Sequence, residues 1–348
     1  MAAIACLTPQ LPYWQHPSQA GNDAGRGDFQ LEIRQIKYFL AVVDSGSVSR
    51  AAGRLFVAQS ALSKQISDLE TDLDVQLLHR SRSGVFPTES GKVFYEYGKA
   101  ILKQMSDARE AVHFPTDAIF GNVVVGLPQS TSGALALPLI NAAQARLPNI
   151  SLHINEELTG NLLEQLWQGR VDLAVFTSNV QLQGFSFRPI AQEDFYLISQ
   201  AGKNPGGAGD MSLTDALAGP LMLSGLQHSH CIRSIIEEAV MREGLHMPAL
   251  RAEINSVHIL KSAVEAGSGN TIMPLALVQQ EVLQGRLRAR RISPAQVSRT
   301  LGICMSNNIP ATNAKRAVAD LIAQLVNSMC EDGSWPSLRI DDLLATGT

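Results

Sequence analysis

Three helix-length segments joined by very short connections, between residues 31 and 73, restrict the fold of this chain more than any other feature. In the first, Ile33–Asp44, apolar side chains recur every three or four residues. Ser47 is a good N-cap for a second helix that runs to Leu55, and Ser60 is the expected N-cap of a third. Two short helices, a tight connection and a further helix predict a helix-turn-helix.

The early turns of the third helix are polar and carry no acid, as a helix that contacts base edges requires. From residue 47 to residue 67 every charged side chain is basic. Glutamine bonds adenine bidentately, lysine reaches guanine or phosphate, and serine contacts either. The DNA-facing candidates of this region are Arg50, Gln59, Ser60, Ser63, Lys64 and Gln65. A solvated polar face on an ordinary three-helix core would show the same polarity, so polarity alone leaves both interpretations open.

Residues 51–91 carry a family resemblance, and they read AAGRLFVAQSALSKQISDLETDLDVQLLHRSRSGVFPTESG. This run resembles the N-terminal signature of LysR-type transcriptional regulators, with matches in register across two helices and a wing. The resemblance implies a winged helix-turn-helix DNA-binding domain over residues 31–88. It also implies that the wing contacts phosphates and the minor groove through Arg80, Arg82 and Ser83. Asp74 and Leu78 stand where the family usually has Gly and Phe, which puts the local turn in question.

One long helix is predicted from Gly91 to His113, within a linker assigned to residues 89–114. Its apolar residues form a narrow stripe of the coiled-coil type, made of Phe94, Tyr97, Ile101, Met105, Ala108 and Val112. A narrow stripe packs on a partner helix. The resemblance implies the same helix of a second copy, in a homodimer or homotetramer. Packing on the chain's own second domain is the alternative.

From Gly121 onward, short β-branched runs alternate with helical segments, a pattern that predicts successive βαβ units and a parallel sheet. AVEAGSGNTIMP (263–274) and QEDFYLIS (192–199) resemble a glycine turn and a crossover strand of the same family. The overall expectation is an α/β fold. The winged helix-turn-helix and the linker helix precede a two-lobed, periplasmic-binding-protein-like effector domain over residues 120–328. A C-terminal tail is assigned to residues 329–348.

Ligands of such sheets bind beyond the carboxyl ends of the strands, against helix N-termini. Hydroxyls and free amides after the first strand suit a small anion, and further hydroxyls are expected across the cleft. The effector-binding candidates are Ser130, Thr131, Ser132, Ser224, Ser256 and Thr271. Helix capping is the competing interpretation for these hydroxyls. We interpret His228 and His230 as a solvated loop, because no third metal ligand stands near them.

Composition excludes several other classes of protein. The net charge is −4, so any DNA-binding signal must be local. The four cysteines are far apart, which predicts neither a zinc site nor a disulfide scaffold and fits the reducing cytosol. No bilayer-spanning apolar run, secretory signal or catalytic motif is found. We therefore expect no enzyme activity, cofactor or metal. Residues 1–30 are expected to be a disordered tail or to follow a misplaced start codon.

Within the family, the chain resembles nitrogen assimilation control regulators. The similarity lies in IKYFLAVVDSGSVSRAA, DVQLLHR and GKVFYEYGKAILKQ. The prediction is a cytoplasmic, sequence-specific activator or repressor whose partners are promoter DNA, RNA polymerase and a second copy of itself. A LysR-type regulator of aromatic or other small-molecule catabolism, responding to a small anionic inducer, is the alternative. A solute-binding protein is a remote third, since it would need a signal peptide.

Overall fold

The structure is a computed structural model, and it describes residues 31–81, 84–113, 119–177, 184–202, 209–224, 231–293 and 297–340. The chain divides into two compact units, of which the first ends at Tyr95 and the second begins at Glu96. The boundary falls inside one long helix.

The first unit is a three-helix core with a β-hairpin wing. Its elements are α1 (Ile33–Ser45), α2 (Val48–Leu55), α3 (Gln59–Asp72), β1 (Leu78–Ser81), β2 (Gly84–Pro87) and the start of α4 (Glu89–His113). Phe39, Leu62 and Ile66 are fully buried among the three helices. Phe94 of α4 packs edge-on against Phe39, with ring centroids 5.2 Å apart. The predicted winged helix-turn-helix is confirmed.

The start and the end of α3 bear on two points raised by the sequence, namely the N-cap at Ser60 and the turn at Asp74. Ser60 is not an N-cap: Ala58 is the last residue with extended backbone, so α3 begins at Gln59 and Ser60 lies in its first turn. Asp74, which replaces the usual glycine, adopts a left-handed backbone with φ of 51°. Aspartate tolerates this region better than most residues. The turn after α3 is therefore made without glycine.

After α4, the second unit continues with a βαβαβ run. Its elements are β3 (Gly121–Pro128), α5 (Gln129–Arg146), β4 (Ile150–Glu157), α6 (Thr159–Trp167) and β5 (Leu173–Thr177). β3 lies between β4 and β5 and pairs parallel with both. The long strand β6 (Phe185–Gln200) then leaves this lobe.

The rest of the second unit forms the other lobe and returns to the first. The second lobe contains α7 (Leu213–Leu217), β7 (Met222–Leu223), α8 (Cys231–Arg242), β8 (Ala252–Glu253), α9 (Val257–Glu265), β9 (Thr271–Pro274), α10 (Gln279–Leu283) and β10 (Leu287–Arg291). The chain then forms β11 (Ser298–Ser306), α11 (Asn313–Glu331) and β12 (Leu338–Arg339).

Strand β6 connects the two lobes. Up to Asp194 it pairs with β11, and from Phe195 onward it pairs with β9 and β10. Separate apolar cores lie on either side, one around Leu135 and Val318 and the other around Ile236. The two-lobed α/β fold is confirmed, but the expectation of a parallel sheet is only partly right. β6 carries the chain out and β11 carries it back, so these neighbours are antiparallel.

The segment assigned to a C-terminal tail is folded up to residue 340. α11 extends to Glu331, the Trp335 side chain is fully buried in the first-lobe core, and β12 pairs antiparallel with β6. A buried tryptophan removes a large apolar surface from water, which anchors the segment. The folded part of the second unit therefore extends beyond residue 328.

Candidate DNA-binding face and ligand cleft

A polar groove of about 850 Å³ runs between α3 and the wing strand β1 in the first unit. Of the predicted contacts on α3, Gln59, Ser60 and Lys64 are exposed. The groove is lined by polar and charged residues, with its two acids toward the C-terminal end of α3: Ser60, Ser63, Lys64, Ser67, Asp68, Glu70, Gln76, Leu78, His79 and Arg80. The first turns of α3 thus present donors and acceptors on a surface open enough for a nucleic acid edge.

The wing is tied to α3 by a side-chain hydrogen bond. Nη1 of Arg80 donates to Oγ of Ser63 over 3.1 Å. At the base of α3, Oε1 of Glu70 accepts from the backbone N–H groups of Leu77 and Leu78, which fixes the start of β1. These hydrogen bonds fix the position of the wing relative to α3.

The remaining predicted DNA contacts are placed differently. Gln65 is half-buried, and its Oε1 is covered and has no hydrogen-bond partner among the described residues. A bidentate contact with adenine needs that oxygen, so Gln65 would have to rotate to make it. Arg50 is exposed in the first turn of α2, where its backbone N–H donates to Oγ of Ser47. Arg82 and Ser83 lie outside the described residues.

Phe56, in the connection between α2 and α3, is a candidate that the sequence analysis passed over. Its side chain is 95% exposed and its backbone is left-handed, with φ of 54°. A bulky residue in this region carries backbone strain, and such strain is concentrated at functional positions. An exposed aromatic ring beside the start of α3 is chemically suited to thymine methyl groups. The available sequence signal was a large aromatic residue inside a tight connection between two helices.

The second unit contains a small cavity of about 70 Å³ between its two lobes. Pro128, Ser130, Glu157 and Thr159 line it from the first lobe, where β3 and β4 end and α5 and α6 begin. The second lobe contributes Ser224, Asn255 and Thr271 together with apolar side chains that include Ile254, Val257, Leu260 and Met273. The topology therefore brings together three predicted effector residues, namely Ser130, Ser224 and Thr271.

The other three predicted effector residues are not in the cavity lining. Helix α5 begins at Gln129, so residues 130–132 occupy its first turn and point in different directions. Thr131 is fully buried. Ser132 donates its hydroxyl to the Glu156 carboxylate. Ser256 caps α9 by accepting from the backbone N–H of Ile259, the capping role considered from the sequence.

Two lining hydroxyls are covered but unpaired within the described residues. They are Oγ of Ser224 and Oγ1 of Thr271. Buried polar atoms normally have a partner, so each hydroxyl is a candidate hydrogen-bonding point for a ligand. Ser224 is itself held in place, because Nη1 of the buried Arg233 donates to its carbonyl oxygen over 3.2 Å. Among the lining residues described, only Glu157 is charged, which argues against the predicted anionic ligand.

The stripe on α4 is largely exposed within the single chain. Tyr97, Ile101, Met105 and Val112 are all among the exposed large apolar residues, and Val112 is 81% exposed. Solvent exposure of a continuous apolar stripe is unfavourable, and it marks a surface for another protein. The stripe from Tyr97 onward thus remains available for a partner helix.

The opposite face of α4 packs on the rest of the second unit through four alternating charges. Nζ of Lys315 lies 2.7 Å from Oδ2 of Asp107 and 2.9 Å from Oδ1 of Asp172, and Lys103 contacts both carboxylates. The backbone N–H of Val124 donates to the other oxygen of Asp172 over 2.8 Å. This face of α4 therefore packs on the chain's own second domain, which was the alternative interpretation of the linker helix.

The described residues offer neither a metal site nor a membrane-spanning helix. In the ranges that the structure describes, no group of three or more His, Cys, Asp or Glu side chains is arranged to hold a metal ion. No helix in the same ranges is both long enough and apolar enough to cross a membrane. His228 and His230 lie outside the described residues.

Comparison with known families decides the classification. The profile of the LysR substrate binding domain matches residues 117–327, and that of the bacterial regulatory helix-turn-helix protein of the lysR family matches residues 33–92. The chain belongs to the LysR family. It is a LysR-type transcriptional regulator, and the first unit is the family's helix-turn-helix module.

Similar proteins span nearly the whole LysR chain. The nitrogen assimilation regulatory protein nac of Klebsiella aerogenes is 30% identical over 298 residues, covering 85% of this chain and 96% of the relative. A full-length OxyR variant from Pseudomonas aeruginosa has a TM-score of 0.66 at 21% identity and covers 90% of this chain and 99% of that one. CbnR complexed with its target DNA has a TM-score of 0.62 at 21% identity, covering 86% and 99%. The solved structures support the fold.

Proposed function

We propose that this LysR-type regulator reads promoter DNA with the first turns of α3 and with the wing, and that it controls nitrogen assimilation genes. The observation that carries the DNA proposal is the exposed, acid-free surface of Gln59, Ser60 and Lys64 beside the groove. The pathway rests on the 30% identity to a nitrogen assimilation regulator over most of both chains. Genome-wide footprinting of the tagged protein tests the pathway, because the bound promoters identify the genes.

The same proposal includes assembly and location. Two copies pair through the exposed stripe of α4, which places two α3 helices on successive major-groove faces about 34 Å apart. The protein acts in the bacterial cytoplasm, where promoters and RNA polymerase are found, as an activator or repressor without catalysis. Its relatives are named as regulators, which supports this assignment.

A small ligand bound between the lobes is the proposed signal. Hydroxyls of Ser130, Ser224 and Thr271 would bond its polar part, and the apolar side chains of the cleft would cover the remainder. This apolar lining also fits the alternative of a regulator that senses an inducer of aromatic catabolism. Transcription from the footprinted promoters, measured against candidate metabolites, distinguishes the two.

We expect Gln59→Ala to reduce affinity for the specific promoter by about 1–3 kcal/mol, or roughly 5-fold to 150-fold, while nonspecific binding changes little. Gln59 is exposed at the start of α3, and alanine keeps the helix. Competition footprinting with specific and random DNA measures the difference. Gln65→Ala is the matched comparison, and its effect should be smaller because Oε1 of Gln65 is covered. Equal specificity of Gln59→Ala and the parent protein would contradict base reading by this residue.

Lys64→Met should weaken binding to specific and random DNA alike. The substitution keeps an unbranched side chain of similar length but removes an exposed positive charge from the groove. A lost phosphate contact reduces the slope of log affinity against log salt by about 1. Titrations across a salt series measure this slope. An unchanged slope would show that Lys64 does not contact a phosphate.

A further inference from the structure

A buried polar network crosses the first lobe behind the cleft. Glu193 on β6 is 0% exposed and Arg299 on β11 is 1% exposed. Nε of Arg299 donates to Oε2 of Glu193 over 2.6 Å, and Nη2 lies 2.6 Å from the same oxygen. A fully buried ion pair is costly unless its other hydrogen-bonding positions are also satisfied, so the partners of both residues matter.

The C-terminal segment satisfies the second oxygen of the Glu193 carboxylate. Nε1 of Trp335 donates to Oε1 over 2.7 Å, and Oγ of Ser337 donates to the same atom over 3.1 Å. The segment is seated on β6 by a backbone bond from Asp194 N–H to Ser337 O and by an ion pair between Arg339 and Asp194 at 3.0 Å. The carboxylate is thus held in one orientation from behind.

The guanidinium of Arg299 also donates two hydrogen bonds to the first turn of α5. Nη1 donates to Oγ of Ser130 over 2.9 Å, and Nη2 donates to the Ser130 carbonyl oxygen over 3.2 Å. Ser130 is the α5 hydroxyl that lines the cleft. A continuous run of hydrogen bonds therefore leads from Trp335 to the cleft wall.

The direction of these bonds determines the role of the Ser130 hydroxyl. A guanidinium has donors only, so Oγ of Ser130 must accept from it. The hydroxyl proton is then directed away from Arg299 and is available for donation. Ser130 is consequently set to bind an acceptor oxygen or nitrogen of a ligand.

We propose that residues 335–339 position the effector site from behind, because Trp335 and Ser337 hold Ser130 in place through Glu193 and Arg299. With both donors removed, Oε1 of Glu193 would be buried and unpaired. The Glu193 carboxylate would rotate and accept hydrogen bonds from the Arg299 guanidinium with both of its oxygens. This bidentate geometry is favoured, and it competes with the hydrogen bonds from Arg299 to Ser130. The start of α5 would loosen as a result. The proposal rests on the ligand cleft proposed above and specifies the chemistry at one of its walls.

Amide hydrogen exchange on the full-length, ligand-free protein tests this positioning role. In the double variant Trp335→Phe, Ser337→Ala, a smaller aromatic ring remains and both donors to Oε1 of Glu193 are lost. We expect exchange in a peptide spanning residues 128–137 to accelerate at least about tenfold, with α11 peptides changing much less. Trp167→Phe, at a half-exposed tryptophan of the same lobe, is the control and should leave residues 128–137 unchanged.

A single variant covers the case in which the double variant does not fold. Ser337→Ala removes one donor without disturbing the buried ring, and it should accelerate exchange in the same peptide by a smaller factor. If neither variant changes residues 128–137, or if α11 accelerates equally, the proposal is overturned, since equal acceleration indicates general loosening. No ligand or DNA takes part in the measurement. Failure of the regulator function itself would instead be seen as a missing promoter footprint of the parent protein.

Discussion

Asp172→Asn is expected to lower the free energy of unfolding of the sensing unit by about 3–5 kcal/mol. The side chain of Asp172 is 2% exposed and that of Lys315 is 3% exposed, so their charges are almost completely removed from water. Asparagine keeps an oxygen for the Val124 N–H but removes the negative charge that faces two lysines. The loss leaves buried positive charge with Asp107 alone to compensate it.

Urea unfolding followed by circular dichroism measures this change. Asp320→Asn is the control, because Asp320 pairs with Arg188 on an exposed surface where such pairs contribute about 0–1 kcal/mol. The double variant Asp172→Asn, Lys315→Met should recover part of the loss, since removing both charges of a buried pair is often nearly neutral. Equal unfolding midpoints for Asp172→Asn and the parent would show that the cluster contributes little.

The stability difference should also depend on pH. Burial lowers the pKa of Lys315, but the charges and hydrogen bonds of Asp172 and Asp107 outweigh it, so this pKa is raised above its ordinary value of 10.5. A lysine whose pKa is higher in the folded than in the unfolded protein stabilises the folded state. This contribution is complete at pH values below the pKa of the unfolded protein, and it is lost as the pH rises through the pKa of the folded protein. The parent should therefore lose part of its advantage over Asp172→Asn above about pH 10.5.

Ile101→Glu is expected to convert the dimer into monomers at concentrations where the parent is paired. Ile101 lies in the middle of the α4 stripe, and a carboxylate in a helix-helix seam loses water without gaining a partner. A cost of about 3 kcal/mol corresponds to a rise in the dimer dissociation constant of roughly two decades. Promoter affinity should fall as well, because two linked α3 helices bind far more tightly than one.

Analytical ultracentrifugation across a concentration series measures the dissociation constant. Ser106→Glu adds the same charge at an exposed position of the same helix outside the stripe, and it should sediment as the parent does. Unfolding of the sensing unit should be unaffected in both variants. If Ile101→Glu retains the parent's dissociation constant, the stripe does not form the dimer seam.

Local patterns allowed the DNA-binding unit and the linker helix to be predicted. The apolar spacing around Phe39 and Leu62 is a property of neighbouring residues, so it can be read without knowing the fold. The ion cluster was not predicted, because Asp107 and Lys315 are 208 residues apart and only the folded chain brings them together. The same holds for Trp335, a single aromatic residue in a polar segment that shows no periodicity.

Helix geometry decides which of the predicted hydroxyls line the ligand cleft. Residues 130–132 carry three consecutive hydroxyls, all of them predicted to bind the effector. On a helix, consecutive side chains are separated by about 100°, so they cannot all face one cavity. Since α5 begins directly after Pro128, only Ser130 lines the cleft while Thr131 turns into the core. Which of the predicted hydroxyls line the cavity therefore depends on where the helix begins.

The division of α4 between the two units determines where modules of this family can be exchanged. The profile match of the sensing domain, residues 117–327, omits Lys103 and Asp107 at one end and Trp335 at the other. A chimera joined at that match would leave Lys315 without Asp107 and Glu193 without its tryptophan donor. A junction just before Glu96, with the chain retained to at least residue 340, would transfer the whole second unit. Lys315 would then keep Asp107, and Glu193 would keep its tryptophan donor.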